Sequence, residues 1–83
     1  MRVISFRKIR EYFERETTSE IALKDWFKKT QKADWENFSD MKKTFNSVDS
    51  VGKSRFVFNI KGNLFRIVAI VDFVFKKVYI RFV

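Results

Sequence analysis

Apolar residues follow two different periods along this chain, and the change falls near Asn46. Before it, Phe6, Ile9 and Phe13 recur at helical spacing and predict a helix over about 6–15, with Ser5 placed to cap it. Arg2 to Ser5 can form a short strand ahead of that helix. Thr17-Thr18-Ser19-Glu20 has the capping-box pattern, in which a hydroxyl and a glutamate three residues later satisfy each other's backbone N–H groups. A second helix is therefore expected to begin there and to end near Lys32. Its apolar stripe is Ala22, Leu23, Trp26 and Phe27, with Lys24, Asp25, Lys28 and Lys29 around the polar side. Asp34 is placed to cap a further short helical segment carrying Trp35, Phe38, Met41 and Phe45. Trp26 and Trp35 both lie on apolar stripes and are assigned to the core.

After Asn46 the period becomes two. Ser47 to Gly52 reads as loop, and the remainder is rich in Val, Ile and Phe. Three strands are expected, at about 55–60, 63–73 and 77–83. Lys61-Gly62-Asn63 and Val74-Phe75-Lys76 separate them, and both connections are short enough for hairpins, giving an antiparallel meander. Phe56, Phe58 and Ile60, with Val78, Ile80 and Phe82, share the parity that should face the helices. The opposite parity holds Arg55, Val57 and Asn59, then Leu64, Arg66, Val68 and Ile70, then Lys77, Tyr79, Arg81 and Val83. The expected fold class is α+β: one domain over 1–83, mainly helical over 1–46 and a three-stranded meander over 54–83. Its N-terminal helices pack on one face of an antiparallel sheet.

Composition narrows the chemistry. Eighty-three residues at 46% hydrophobic content support one modest core, and with no proline and two glycines nothing resembles a linker. The absence of cysteine excludes disulfides, thiolate metal sites and a cysteine nucleophile, and suits a reducing compartment, so a cytoplasmic location is expected. The first residues lack the apolar run of an export signal. The most apolar stretch, 67–75, is broken by Asp72 and falls short of the roughly 20 residues of a membrane span. Net charge is +8, unevenly spread: residues 1–49 hold 11 basic and 9 acidic residues, and 50–83 hold 7 and 1. Such a field attracts phosphate backbones, and nucleic acid is the favoured partner over anionic lipid, an acidic protein or a face kept basic for solubility.

The face opposite the helices mixes cations with hydrophobes, unlike a merely solvated one. Arginine grips phosphate bidentately and tyrosine stacks on unpaired bases, so a face holding Arg66, Tyr79 and Arg81 suits single-stranded RNA. Lys53, Arg55, Asn59, Lys61 and Lys77 are the candidate RNA-binding residues. The plainer alternatives are that Arg66 and Arg81 pair with Asp72 or helical carboxylates, and that Tyr79 merely covers a sheet. Cleaving RNA through its own 2′-hydroxyl needs a proton acceptor, a group to stabilise phosphate charge and a proton donor. Arginine meets the second need. There is no histidine, and a lysine or Tyr79 is left to serve the others. No metal-ligand spacing, phosphate-cradling glycine loop or nucleophile elbow is present, so no cofactor is expected.

The segment Val57-Phe58-Asn59-Ile60-Lys61-Gly62-Asn63-Leu64-Phe65-Arg66-Ile67-Val68-Ala69, followed by Val78-Tyr79-Ile80-Arg81-Phe82-Val83, resembles the HigB-type toxins of the RelE-like superfamily. The shared frame is Phe-Asn-x-x-Gly-Asn-x-x-Arg on one hairpin and Tyr-Ile-Arg on the next strand. The helical half with Asp34-Trp35 is also compatible. The resemblance implies an mRNA-cleaving toxin that acts on translated message at the ribosome and is neutralised by a helix-turn-helix antitoxin. It implies that Asn59, Gly62 and Asn63 fix the hairpin turn, and that Arg66, Tyr79 and Arg81 occupy the RNA-binding face, which makes these three the candidate catalytic residues. Family members continue after the last strand with Thr-His-x-x-Tyr-Asp, whereas this sequence ends at Val83. Two expectations result: cleavage by the sheet residues themselves, or a truncated, inactive module that binds RNA or antitoxin. A gyrase inhibitor on the same scaffold is a third, against which the hairpin motif speaks.

Overall fold

Strand alternation and helical stripes converge on one buried layer. A computed structural model describes residues 1–83. In chain order the elements are β1 (Arg2–Ile4), α1 (Phe6–Arg15), a 3₁₀ turn (Thr17–Ser19), α2 (Glu20–Lys32), α3 (Phe38–Thr44), β2 (Asp49–Gly52), β3 (Arg55–Ile60), β4 (Phe65–Asp72) and β5 (Lys77–Phe82). The fold is α+β. Its sheet runs β1-β5-β4-β3-β2, with β1 parallel to β5 and every other pair antiparallel. The expected meander thus forms the centre of a wider, mixed sheet. The segment read as loop at 47–52 supplies the edge strand β2. All four of its residues are exposed, so no alternation marks it in the sequence.

The helices bury Ile9 and Phe13 from α1, Leu23 and Trp26 from α2, and Met41 from α3 against Phe56, Phe58, Ile67, Val71, Val78 and Ile80 of the sheet. Phe58 is the hub. Its ring meets Trp26 edge-on at 5.2 Å, stacks on Trp35 at 6.2 Å and meets Phe45 edge-on at 5.6 Å. Both tryptophans are buried, as expected.

Helix starts differ from the expectations. Ser5 precedes α1 but lies in the left-handed region (φ 72°), not the extended region usual for a capping residue, and its side chain makes no cap. The capping box at 17–20 does not form. Those residues make the 3₁₀ turn instead, where Ser19 Oγ donates to the Glu16 carbonyl (2.6 Å) and Thr18 Oγ1 to the Glu16 carboxylate (2.9 Å). Asn37, not Asp34, caps α3: its Oδ1 accepts from the Asp40 N–H (2.9 Å), while Asp40 accepts from the Glu36 N–H (3.1 Å). Asp34 pairs with Lys76, whose ammonium also donates to the Trp35 carbonyl and so ties the β4–β5 turn to the connection between α2 and α3. Asn37→Ala is expected to cost about 1 kcal/mol. Its check is a fall of roughly 4–8 °C in the thermal midpoint.

Both hairpins are shaped by local chemistry. Lys61, Gly62 and Asn63 take three successive positive φ values (51°, 61° and 76°), a run that glycine and asparagine tolerate best. At the other turn Asp72 Oδ1 accepts from the N–H groups of Val74 and Phe75, both at 3.0 Å. The β4–β5 ladder carries one irregularity. Ala69 pairs with Ile80 but Val68 pairs with Phe82, so β5 advances two residues where β4 advances one. This bulge at Arg81 overturns the parity expected of Phe82, which leaves the helical layer and is 61% exposed.

Candidate functional site

Cross-strand register sets the rows of the sheet face that carries no helix. Asn59 stands opposite Arg66. The next row is Val57, Val68 and Phe82, and beyond it come Arg55, Ile70, Tyr79 and Ile4. A last row holds Asp72, Lys77 and Arg2. The middle of this face is therefore an apolar strip with cations on both sides.

Strand β1 pairs with β5 only as far as Tyr79, and α1 then runs beside the free end of β5. Lys8 Nζ donates to the Arg81 carbonyl at 3.0 Å, joining helix to strand across the bulge. Three connected depressions result. The largest, about 460 Å³, is lined by Lys8, Val51, Arg55, Val57, Val68, Arg81 and Phe82. A second, about 430 Å³, runs from Tyr12 past Phe82 and Val68 to Leu64 and Arg66. The smallest, about 210 Å³, lies between Lys8, Glu11, Tyr12 and Arg15 of α1 and Arg81, Phe82 and Val83.

The guanidinium groups here are unspent. Ion pairs occur between Arg7 and Glu11, Lys24 and Glu20, Lys29 and Asp25, Lys43 and Asp40, and Lys76 and Asp34; none involves Arg55, Arg66 or Arg81. Asp72, one of the partners expected for the arginines, accepts instead from two amides of its own turn. Glu11 is the one side-chain carboxylate lining these depressions, and it lies 3.9 Å from Arg7. With so little opposing charge, the surface offers donors in forks suited to an anion with several oxygens.

The structure gathers Arg55, Arg66 and Arg81 around the Val57–Val68–Phe82 strip. Tyr79 is 37% exposed on the same face, but it stands a row away and lines none of the three depressions. Lys77 stands a further row out, between Asp72 and Arg2. Lys53 occupies the β2–β3 turn with φ 51°. Lys61 and Asn59 line a different hollow, with Trp26 and Phe45 on the helical side, and the Asn59 amide donates to the Ser47 carbonyl at 2.9 Å. Asn59 thus ties β3 to the segment leading into β2.

Sequence reasoning missed the wall made by α1. Lys8, Tyr12 and Arg15 follow one another at i, i+4 and i+7, which puts them on one side of the helix. That spacing was a usable signal, but only pairing of β1 with β5 brings it to the site. Tyr12 packs edge-on against Phe65 at 6.0 Å, and the Arg15 guanidinium lies 5.9 Å from the Tyr12 ring centre. Phe82 was missed because a bulge cannot be read from alternation.

No curated protein gives a match to the chain. A family profile described as HigB toxin, the RelE-like toxic component of a toxin-antitoxin system, matches residues 19–83, from the start of α2 through the whole sheet except β1. This match covers both the hairpin that carries the motif and the strand that carries Arg81. The mixed α+β architecture is the one expected of such toxins, and the chain therefore belongs to the HigB toxin family, the RelE-like toxic components of toxin-antitoxin systems.

Proposed function

We propose that this toxin is an endoribonuclease that cleaves translated mRNA in the cytoplasm and is held in check by a helix-turn-helix antitoxin. One observation carries the reading. Arg55, Arg66 and Arg81 surround an apolar strip on the open sheet face, and none of them has a carboxylate partner. Single-stranded RNA offers the matching chemistry, phosphates for the guanidinium forks and apolar base faces for the strip.

In this mechanism Arg66 and Arg81 hold the scissile phosphate from either side of Val68. The 2′-hydroxyl of the preceding ribose loses its proton and attacks phosphorus, and the P–O bond to the next nucleotide breaks. The arginines stabilise the charge that grows on the non-bridging oxygens. The departing 5′-oxygen gains a proton, leaving a 2′,3′-cyclic phosphate and a 5′-hydroxyl. Tyr79, one row away, stacks on a flanking base or assists proton transfer. Arg55, Lys53 and Lys77 follow the backbone, and Lys61 adds to the long-range field.

A second reading has a specific observation behind it. The depressions around the arginines contain no histidine, and Tyr79 lies outside them, so a non-catalytic module binding RNA or antitoxin would present the same surface. Salt dependence tests the feature common to the RNA readings. For single-stranded RNA, each neutralised phosphate contributes a slope of about −0.7 in log affinity against log salt. With Arg66 and Arg81 on one phosphate and Arg55, Lys53 and Lys77 on three others, the slope should be about −2.8, and Arg66→Ala with Arg81→Ala should make it shallower by about 0.7. Affinity independent of salt would rule out phosphate contacts.

A further inference from the structure

We infer that Phe82 is a base-stacking platform, the point at which an RNA base rests while the arginines around it hold phosphate. The inference rests on the proposed RNA reading and adds to it a residue that the family match does not single out.

Three independent features of the fold meet at this side chain. First, the bulge at Arg81 turns Phe82 out of the helical layer, where its parity would have buried it, and places it opposite Val68 on the open face. Bulges recur next to functional sites because they re-aim one side chain at small cost to the ladder. Second, Phe82 lines all three depressions, so it is where they adjoin. Third, its surroundings are cationic. Lys8, Arg55, Arg66 and Arg81 line the same hollows, and Lys8 holds the backbone of the bulge by its bond to the Arg81 carbonyl.

A lone exposed phenylalanine on a soluble protein calls for no explanation. Phe75, 71% exposed, is such a residue: it projects from the β4–β5 turn and lines none of these depressions. Phe82 differs in being set among unpaired cations. Protein-binding hot spots also favour arginine and aromatic side chains, but Lys8, Arg55, Arg66 and Arg81, with Glu11 as the one side-chain carboxylate lining the depressions, make a field of one sign that suits a polyanion. An aromatic face between phosphate-binding groups is the arrangement used for unpaired nucleotides, where stacking tolerates any base because every base has a π-face. The platform therefore sets affinity and the position of the strand, with little preference among bases.

The test is equilibrium binding of the 83-residue chain, Phe82→Ala and Phe82→Trp to two labelled hexaribonucleotides. One carries all its bases and the other is abasic throughout. Phe82→Ala should weaken binding to the intact strand about tenfold. Phe82→Trp should restore it, and all three proteins should bind the abasic strand alike with the same salt slope. If Phe82→Ala binds intact RNA as tightly as its parent, or loses equally on both strands, the platform is overturned while the arginine-based reading stands. If it keeps RNA affinity but loses affinity for an antitoxin, Phe82 is a protein contact and the inference is likewise overturned. If the parent binds neither strand, the inference falls together with the RNA reading itself.

Discussion

Arg66→Ala is expected to slow message cleavage about a hundredfold, and Arg66→Ala with Arg81→Ala to abolish growth arrest when the chain is induced in cells. The size reflects what is removed. A donor aimed at charge that develops only in the transition state contributes about 10²–10³ in rate. Both side chains are exposed and neither makes an ion pair, so truncation opens no cavity and leaves no buried charge uncompensated. Thermal unfolding should accordingly shift little, since such surface changes stay within about 0.5 kcal/mol. Lysine at both positions should give an intermediate result, because it retains charge but lacks the planar fork. Growth curves and midpoints for the same variants separate lost chemistry from lost fold. Undiminished toxicity in the double variant would exclude both arginines from the site.

The largest effect on stability is expected at Phe58. Its ring is 1% exposed and joins both tryptophans to Phe45, so it links α2 and the segments flanking α3 to strand β3. Phe58→Ala should cost about 3–5 kcal/mol, combining lost transfer energy with a cavity the surrounding rings cannot collapse to fill. At about 0.05–0.15 kcal/mol of stability per residue, a chain this short has few such losses to spare. Urea titration should show a large fall in the midpoint with the slope of the transition retained. A midpoint lowered by the equivalent of less than about 1 kcal/mol would mean that the aromatic cluster repacks, and that its geometry is not what holds helices to sheet.

What could be read in advance depended on whether a signal was local. The stripe Ala22, Leu23, Trp26, Phe27 and the alternation of Phe56, Phe58 and Ile60 each lie within one element, and both elements form as expected. The open-face positions of Arg55 and Arg66 follow from the same alternation. Edge strand β2 escaped notice because Asp49 to Gly52 bury nothing, and β1 gains its place in the sheet only by pairing with a strand more than seventy residues away. Helix caps were misplaced where several polar residues competed. Asn37 prevails over Asp34 at α3, and the hydroxyls of Thr18 and Ser19 are spent on Glu16. The site was legible in its arginines and not in its shape. Lys8, Tyr12 and Phe82 reach it through a parallel pairing and a bulge, neither of which leaves a periodic trace.

Whether this chain cuts RNA with groups on the open sheet face is decided by incubating the purified 83-residue protein with ribosomes translating a defined message and mapping the new RNA ends. Cuts should fall within the translated region, end in cyclic phosphate, and vanish in the variant carrying both Arg66→Ala and Arg81→Ala. Intact message, from a protein that still binds RNA with a steep salt dependence, would refute cleavage and leave a binding module on the same fold.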